Sequence, residues 1–175
     1  MLELTGKSFL FFIDDIYEDL EVWYPKLRLE EAGAKVVCAA PEAGKVYTGK
    51  HGYPCPGDAA IASVRETDFA GVILPGGFSP DKLRRFDEVK SLIRAFMGNG
   101  KLIAHICHGG WMAVSAGICK GYKMTSTPGI KDDLENAGAI WVDEPCVIDR
   151  NMVSSRRPGD LPAFMRGIFA CLKTL

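Results

Sequence analysis

Four short segments of this chain are apolar at nearly every position, and each is closed by residues that stop a strand. They are Ser8-Phe9-Leu10-Phe11-Phe12-Ile13, ahead of two aspartates; Lys35-Val36-Val37-Cys38-Ala39-Ala40; Gly71-Val72-Ile73-Leu74, ahead of Pro75-Gly76-Gly77; and Lys101-Leu102-Ile103-Ala104-His105-Ile106, ahead of Cys107. A run without polar alternation marks a strand covered on both faces, the pattern of a parallel sheet between helices. Helical stretches alternate with the runs. One spans about Leu20 to Ala32, with Pro25 predicted to kink it or mark a late start, and one spans about Asp87 to Met97. A third runs on from Cys107 to Gly117, and an amphipathic helix closes the chain from about Leu161. The segment Pro41 to Asp58, rich in Gly and Pro, reads as a hairpin-like excursion, and short strands are expected near Lys123, Ile140 and Val147. Strand, helix, strand implies right-handed parallel crossovers, so the expected architecture is a single doubly wound α/β domain over residues 1–175, mostly parallel, with helices on both faces.

Composition narrows the function classes. A hydrophobic content of 47% over 175 residues supplies one sizeable core, and a formal net charge of -1 leaves no basic face for nucleic acid. The start, Met1-Leu2-Glu3-Leu4-Thr5-Gly6-Lys7, lacks the basic and apolar regions of a signal peptide. No apolar stretch approaches the roughly 20 residues that span a bilayer. A cytoplasmic location without membrane contact is the expectation. The cysteines Cys38, Cys55, Cys107, Cys119, Cys146 and Cys171 are scattered, with no C-x-x-C pair and no matching histidine pair. That excludes the usual zinc spacings and predicts buried small side chains for most of them, with neither metal nor cofactor.

Cys107 stands apart. In open α/β sheets, chemistry collects at the carboxyl ends of strands. Here a strand ends in cysteine, and His108-Gly109-Gly110 lead straight into a helix, the plan of a nucleophile elbow. The helix N-terminus favours a thiolate, which is the attacking species. The elbow formula wants glycine two residues before the nucleophile, where this chain has His105. Of the three histidines, His108 adjoins the sulfur and is the natural base, His105 lies within the strand as a core or sheet-face residue, and His51 lies in the excursion near the site. No histidine follows position 108, which excludes a glutamine-amidotransferase triad drawn from a late His-x-Glu segment.

The segment Ala104-His105-Ile106-Cys107-His108-Gly109 resembles the elbow of the ThiJ/PfpI family, especially PfpI-type intracellular peptidases and their deglycase relatives. The likeness runs through Tyr17-Glu18-Asp19-Leu20-Glu21, Gly49-Lys50-His51-Gly52, Leu74-Pro75-Gly76-Gly77, Pro128-Gly129-Ile130-Lys131-Asp132-Asp133 and Val153-Ser154-Ser155-Arg156. The resemblance implies a flavodoxin-like fold shared with class I glutamine amidotransferases. It implies that Glu18 points at the Cys107 sulfur as a protonated carboxyl, and that the Gly77 amide, after Gly76, joins the amide of His108 in an oxyanion hole. It also implies a peptidase acid supplied across a subunit interface, the matching position being Asp81, and hence a homodimer or hexamer. His51 is a substrate-binding candidate.

The expected activity is a cysteine-dependent hydrolase or lyase acting on peptides, small aldehydes or glycated groups, as peptidase, deglycase or glyoxalase III-like enzyme. The alternative is a stress-response chaperone or redox sensor without turnover, its cysteine cycling through oxidised states.

Overall fold

The computed structural model describes residues 3–175. The apolar runs become the centre of one sheet: β1 (Ser8–Phe12), β2 (Lys35–Ala40), β6 (Gly71–Leu74) and β7 (Leu102–Ile106). Two strands of the excursion, β3 (Val46–Thr48) and β4 (Pro54–Pro56), pair as an antiparallel hairpin, and β5 (Ala59–Ala60) returns to the sheet edge. Beyond β7 lie β8 (Lys123–Met124) and β9 (Ile140–Trp141), paired with each other, then β10 (Cys146–Asp149) and β11 (Met152–Ser155). The main sheet has the order β10-β11-β7-β6-β1-β2-β5, parallel except for β10 against β11.

Alternation along each strand divides the core between two faces. Phe9 and Phe11 of β1 pack on one face with Val22 and Leu29 of α1 (Asp19–Glu31). The next helices are α2 (Ser79–Leu83), α3 (Asp87–Gly98), α4 (Gly110–Ala116) and α5 (Lys131–Asn136). Leu10 and Phe12 face the other way, among Val89, Ile93 and Phe96 of α3 and Met112 of α4. The last helix, α6 (Leu161–Leu172), sits on the first face through Phe164 and Ile168. Fully burying a side chain of this size stabilises the fold by roughly 1.5–3 kcal/mol.

Helix α1 begins at Asp19, ahead of Pro25, so the proline neither delays its start nor ends it. The fold also holds four elements that the residue pattern did not announce, β5, α2, α5 and β11. Half of Met152-Val153-Ser154-Ser155 is polar, yet all four residues are buried. Their hydroxyls are satisfied: Ser154 Oγ accepts the Thr125 N–H at 2.9 Å, and the Ser155 hydroxyl donates to Pro145 O. Among the described residues, no helix is long and apolar enough to cross a membrane.

Because β2 leaves β1 on one side and β6 joins it on the other, the sheet reverses winding direction between β1 and β6. Loops diverge above such a point and leave a crevice at the carboxyl ends of the strands. The loops after β1, β6 and β7 all meet there.

Candidate active site

Cys107 follows β7 directly and holds φ +59, one of three non-glycine residues with positive φ among those described. Left-handed backbone costs a side chain about 1–2 kcal/mol. The elbow accepts that strain and turns the sulfur into the crevice. Around the sulfur, the backbone N–H groups of His108 and Gly77 lie close enough to draw the thiol pKa down. Nδ1 of His108 lies 3.3 Å from Sγ, and its ring is tilted against Trp111 with centroids 5.1 Å apart.

The carboxyl beside the sulfur belongs to Glu21. Its Oε2 accepts the Gly76 N–H at 2.7 Å, while its buried Oε1 has no formed hydrogen bond and the side chain interacts with the Cys107 thiol. Glu18, the expected partner, is instead the N-cap of α1: its Oε2 accepts the Glu21 N–H at 2.9 Å. The correction has a local cause. A helix starting at Asp19 leaves Glu18 at its mouth and turns Glu21 onto the inward stripe with Val22, Pro25 and Leu29. That stripe spacing was the signal in the sequence that could have found Glu21. Glu18 still lines the same cavity, with Oε1 3.8 Å from Nε2 of His51.

Gly76 separates the two reactive groups. A Cβ there would come within 2.5 Å of Glu21 Oε2 and 2.8 Å of Cys107 Cβ, so no larger residue fits without prising them apart. Gly77 holds φ +85 and bridges to Tyr17, which ties the loop after β6 to the loop after β1.

Burial dominates the titration of this site. Desolvation first, and the Glu18 charge second, push the Glu21 carboxyl up to about 8, so it carries its proton at neutral pH. Desolvation, with the Glu21 charge second, pushes the Cys107 thiol up to about 12, against the two N–H groups that pull it down. The expected thiolate-favouring elbow is therefore reversed by burial in the free site. A neutral Glu21 changes the balance, since a protonated carboxyl does not repel a thiolate and can donate its O–H to one. Burial, then Lys50, holds the His108 pKa below its ordinary value, so the ring is available as a neutral base.

The other expected residues fall further out. His51 is largely exposed at the tip of the β3–β4 hairpin, lining a neighbouring groove with Leu20, Trp23, Leu27 and Tyr53. Asp81 lies on α2 and pairs within the chain with Arg85 at 2.5 Å, so it is not joined to His108 in a single chain. His105 is fully buried beneath α4 with neither ring nitrogen hydrogen-bonded, and burial lowers its pKa to about 4. Cys38, Cys55, Cys119 and Cys171 are buried free thiols, as expected for packing residues.

Five further residues line the cavity and were not singled out as site residues: Ile16, Lys50, Phe78, Trp111 and Pro158. The hairpin brings Lys50 there. Its tip is clipped to the start of α1 by Asp19, whose carboxylate accepts the N–H groups of His51 and Tyr53, both at 2.9 Å. Glu18, Asp19 and His51 put possible metal-ligating atoms within 4.8 Å of one another. Both Asp19 oxygens and Glu18 Oε2 are already engaged by amides, and that trio serves as a clip.

A strained cysteine at a strand end, two amides and a protonated carboxyl thus meet in the crevice of a doubly wound α/β protein. Residues 7–170 match the DJ-1/PfpI family, and the chain belongs to it. It is 44% identical to Deglycase PfpI of Pyrococcus furiosus, over 94% of this chain and 98% of that protein. It is 41% identical to YraA of Bacillus subtilis, which carries a provisional cysteine protease name, over 96% of this chain and 99% of that one. Among solved structures, DJ-1beta of Drosophila melanogaster superposes with a TM-score of 0.87 at 30% identity, over 95% of this chain and 89% of its own. The expected flavodoxin-like α/β fold is confirmed.

Proposed function

We propose that this chain is a cysteine-dependent enzyme acting on small aldehydes or glycated groups, in the manner its deglycase-named relatives suggest. One observation carries the reading: Cys107, His108 and Gly77 line one cavity of about 440 Å³, sized for a small molecule, with the buried Glu21 carboxyl set behind the sulfur.

The chemistry follows from the positions. The thiol proton passes to Nδ1 of His108, and the sulfur adds to the carbonyl carbon, forming the C–S bond. The carbonyl π pair moves onto oxygen, where the N–H groups of Gly77 and His108 receive it, a contribution of about 3–4 kcal/mol per well-placed donor in comparable sites. Glu21 or the protonated His108 then supplies a proton to give the hemithioacetal. With a 2-oxoaldehyde, moving the adjacent C–H proton through the same carboxyl gives the thioester of a 2-hydroxy acid. Water hydrolyses that thioester and frees the thiol.

The test is lactate formation from methylglyoxal, followed in the wild-type chain, Cys107→Ser and Glu21→Gln. Turnover lost in Cys107→Ser supports the reading, whereas lactate formed equally well without the sulfur refutes it.

Peptide cleavage is the second reading, favoured by the 3.3 Å approach of His108 Nδ1 to the sulfur. Since Asp81 is held by Arg85 within the chain, an acid for His108 would come from a second copy, in a dimer or hexamer. Mixing inactive Cys107→Ser with Asp81→Ala subunits restores peptidase activity if the site is shared between chains. Full activity of Asp81→Ala alone rules the sharing out.

A further inference from the structure

We infer that Lys50 makes this site select substrates carrying an anionic group, a carboxylate above all, beside the reacting carbonyl. The inference rests on the reading of Cys107 as a nucleophile toward small carbonyl compounds and names their class. Lys50 is fixed by its place in the hairpin, with its backbone N–H donating to Tyr17 O at 2.8 Å. Its side chain lines the cavity with Glu18, Gly77, Cys107 and His108.

Two lysines from flanking segments are held by acids of the loop after β1, Lys45 by Asp15 and Lys82 by Asp14. Among the described residues, the Lys50 ammonium has no ion pair or side-chain hydrogen bond, although it stands at the mouth of a site with two carboxyls. Its charge is felt at the chemistry, where it favours ionised Glu21 and neutral His108.

The charged groups facing the cavity give the rest of the balance. Glu21 is protonated at neutral pH, and burial keeps His108 toward its neutral form. Glu18 spends one oxygen on the helix cap and turns the other toward His51. Arg157, next to the lining residue Pro158, is turned to Asp160 at 3.8 Å. Lys50 is thus the standing positive charge without a partner at the mouth, and a carboxylate supplies one.

Ile16, Phe78 and Trp111 form apolar walls in the same cavity. A substrate with its carbonyl carbon at the sulfur, a short carbon stem against those walls and a carboxylate on Lys50 meets the thiol, the apolar walls and the ammonium together. Short-chain oxo acids, and aldehyde adducts of amino acids with a free carboxylate, have this form.

Alkylation of Cys107 tests the charge without requiring turnover. Iodoacetate and iodoacetamide are nearly the same shape and differ by one negative charge. Second-order rates at Cys107, read by peptide mass spectrometry at low ionic strength where screening is least, give their ratio. In Lys50→Met the iodoacetate rate is expected to fall about tenfold relative to iodoacetamide, the effect of one unit charge at close range near a protein surface. Lys50→Arg keeps the wild-type ratio. A ratio unchanged in Lys50→Met overturns the inference, whatever the enzyme turns over. A ratio that falls as expected in a chain with no turnover of any carbonyl substrate upholds the anion site and counts against the proposed function instead.

Discussion

Replacing Glu21 with glutamine removes an ionisable proton while keeping the shape of the side chain, so it measures whether the buried carboxyl is neutral in the folded protein. The ordinary carboxyl pKa of 4.5 rises to about 8 in the fold. The unfolded chain therefore gives up this proton well before the folded chain does. The Glu21 contribution is fully present below pH 4.5 and is lost as pH rises through 8. Between pH 5 and pH 9 the integrated loss is about 4 kcal/mol, because each pH unit over which only the folded chain holds the proton costs about 1.36 kcal/mol. Glu21→Gln has no such loss. The assay is urea unfolding at closely spaced pH values for both chains in a Cys107→Ser background, which takes thiol ionisation out of the comparison. The Glu21→Gln chain is expected to gain about 4 kcal/mol on its parent across that range. Parallel profiles would show Glu21 already ionised at neutral pH, and would remove the proton donor from the proposed chemistry.

Three other outcomes are expected. Gly76→Ala inserts a methyl group between Glu21 Oε2 and Cys107 Cβ, so it should cut Cys107-dependent turnover by at least about tenfold while circular dichroism stays native; unchanged turnover would show that the two groups need not touch. His105 has its pKa lowered to about 4 by burial, so the unfolded chain takes its proton first and stability falls as pH drops from 6.5 toward 4. His105→Leu should flatten that slope by up to about 3 kcal/mol in acid unfolding curves, and an unaltered slope would mean that the ring is protonated in the fold. With iodoacetamide in the folded state, half-buried Cys107 and Cys146 should label, while buried Cys38, Cys55, Cys119 and Cys171 label only on unfolding; earlier labelling of any buried thiol would contradict the packing.

Much of this protein was legible without coordinates because its signals are local. Unbroken apolar runs bounded by turn residues mark central strands, and Cys107 ends one of them, so the fold class and the place of this cysteine at a strand end followed from pattern and position. The hairpin at 46–56 was likewise readable from its turn residues. The strand Met152–Ser155 was not, because its serines are buried by partners far along the chain, Thr125 and Pro145.

The remaining decisions were tertiary. Glu18 and Glu21 are chemically alike and three residues apart, and only the start of α1 at Asp19 assigns one to the cap and the other to the sulfur. Helix polarity alone favours a thiolate at Cys107, but the desolvation that opposes it depends on how many atoms from distant segments cover the sulfur. Asp81 finds Arg85 four residues on, just past the end of α2, and no spacing rule could tell that pairing from a bond to a second chain. Lys50 reaches the cavity only because Asp19 holds the amides of a hairpin more than thirty residues away. Sequence thus determined that a cysteine stands at the end of β7. The three-dimensional packing decided which carboxyl serves the sulfur, which charge stands unpaired beside it and how far each proton is held from its ordinary affinity, because burial and long-range approach are properties of the assembled fold.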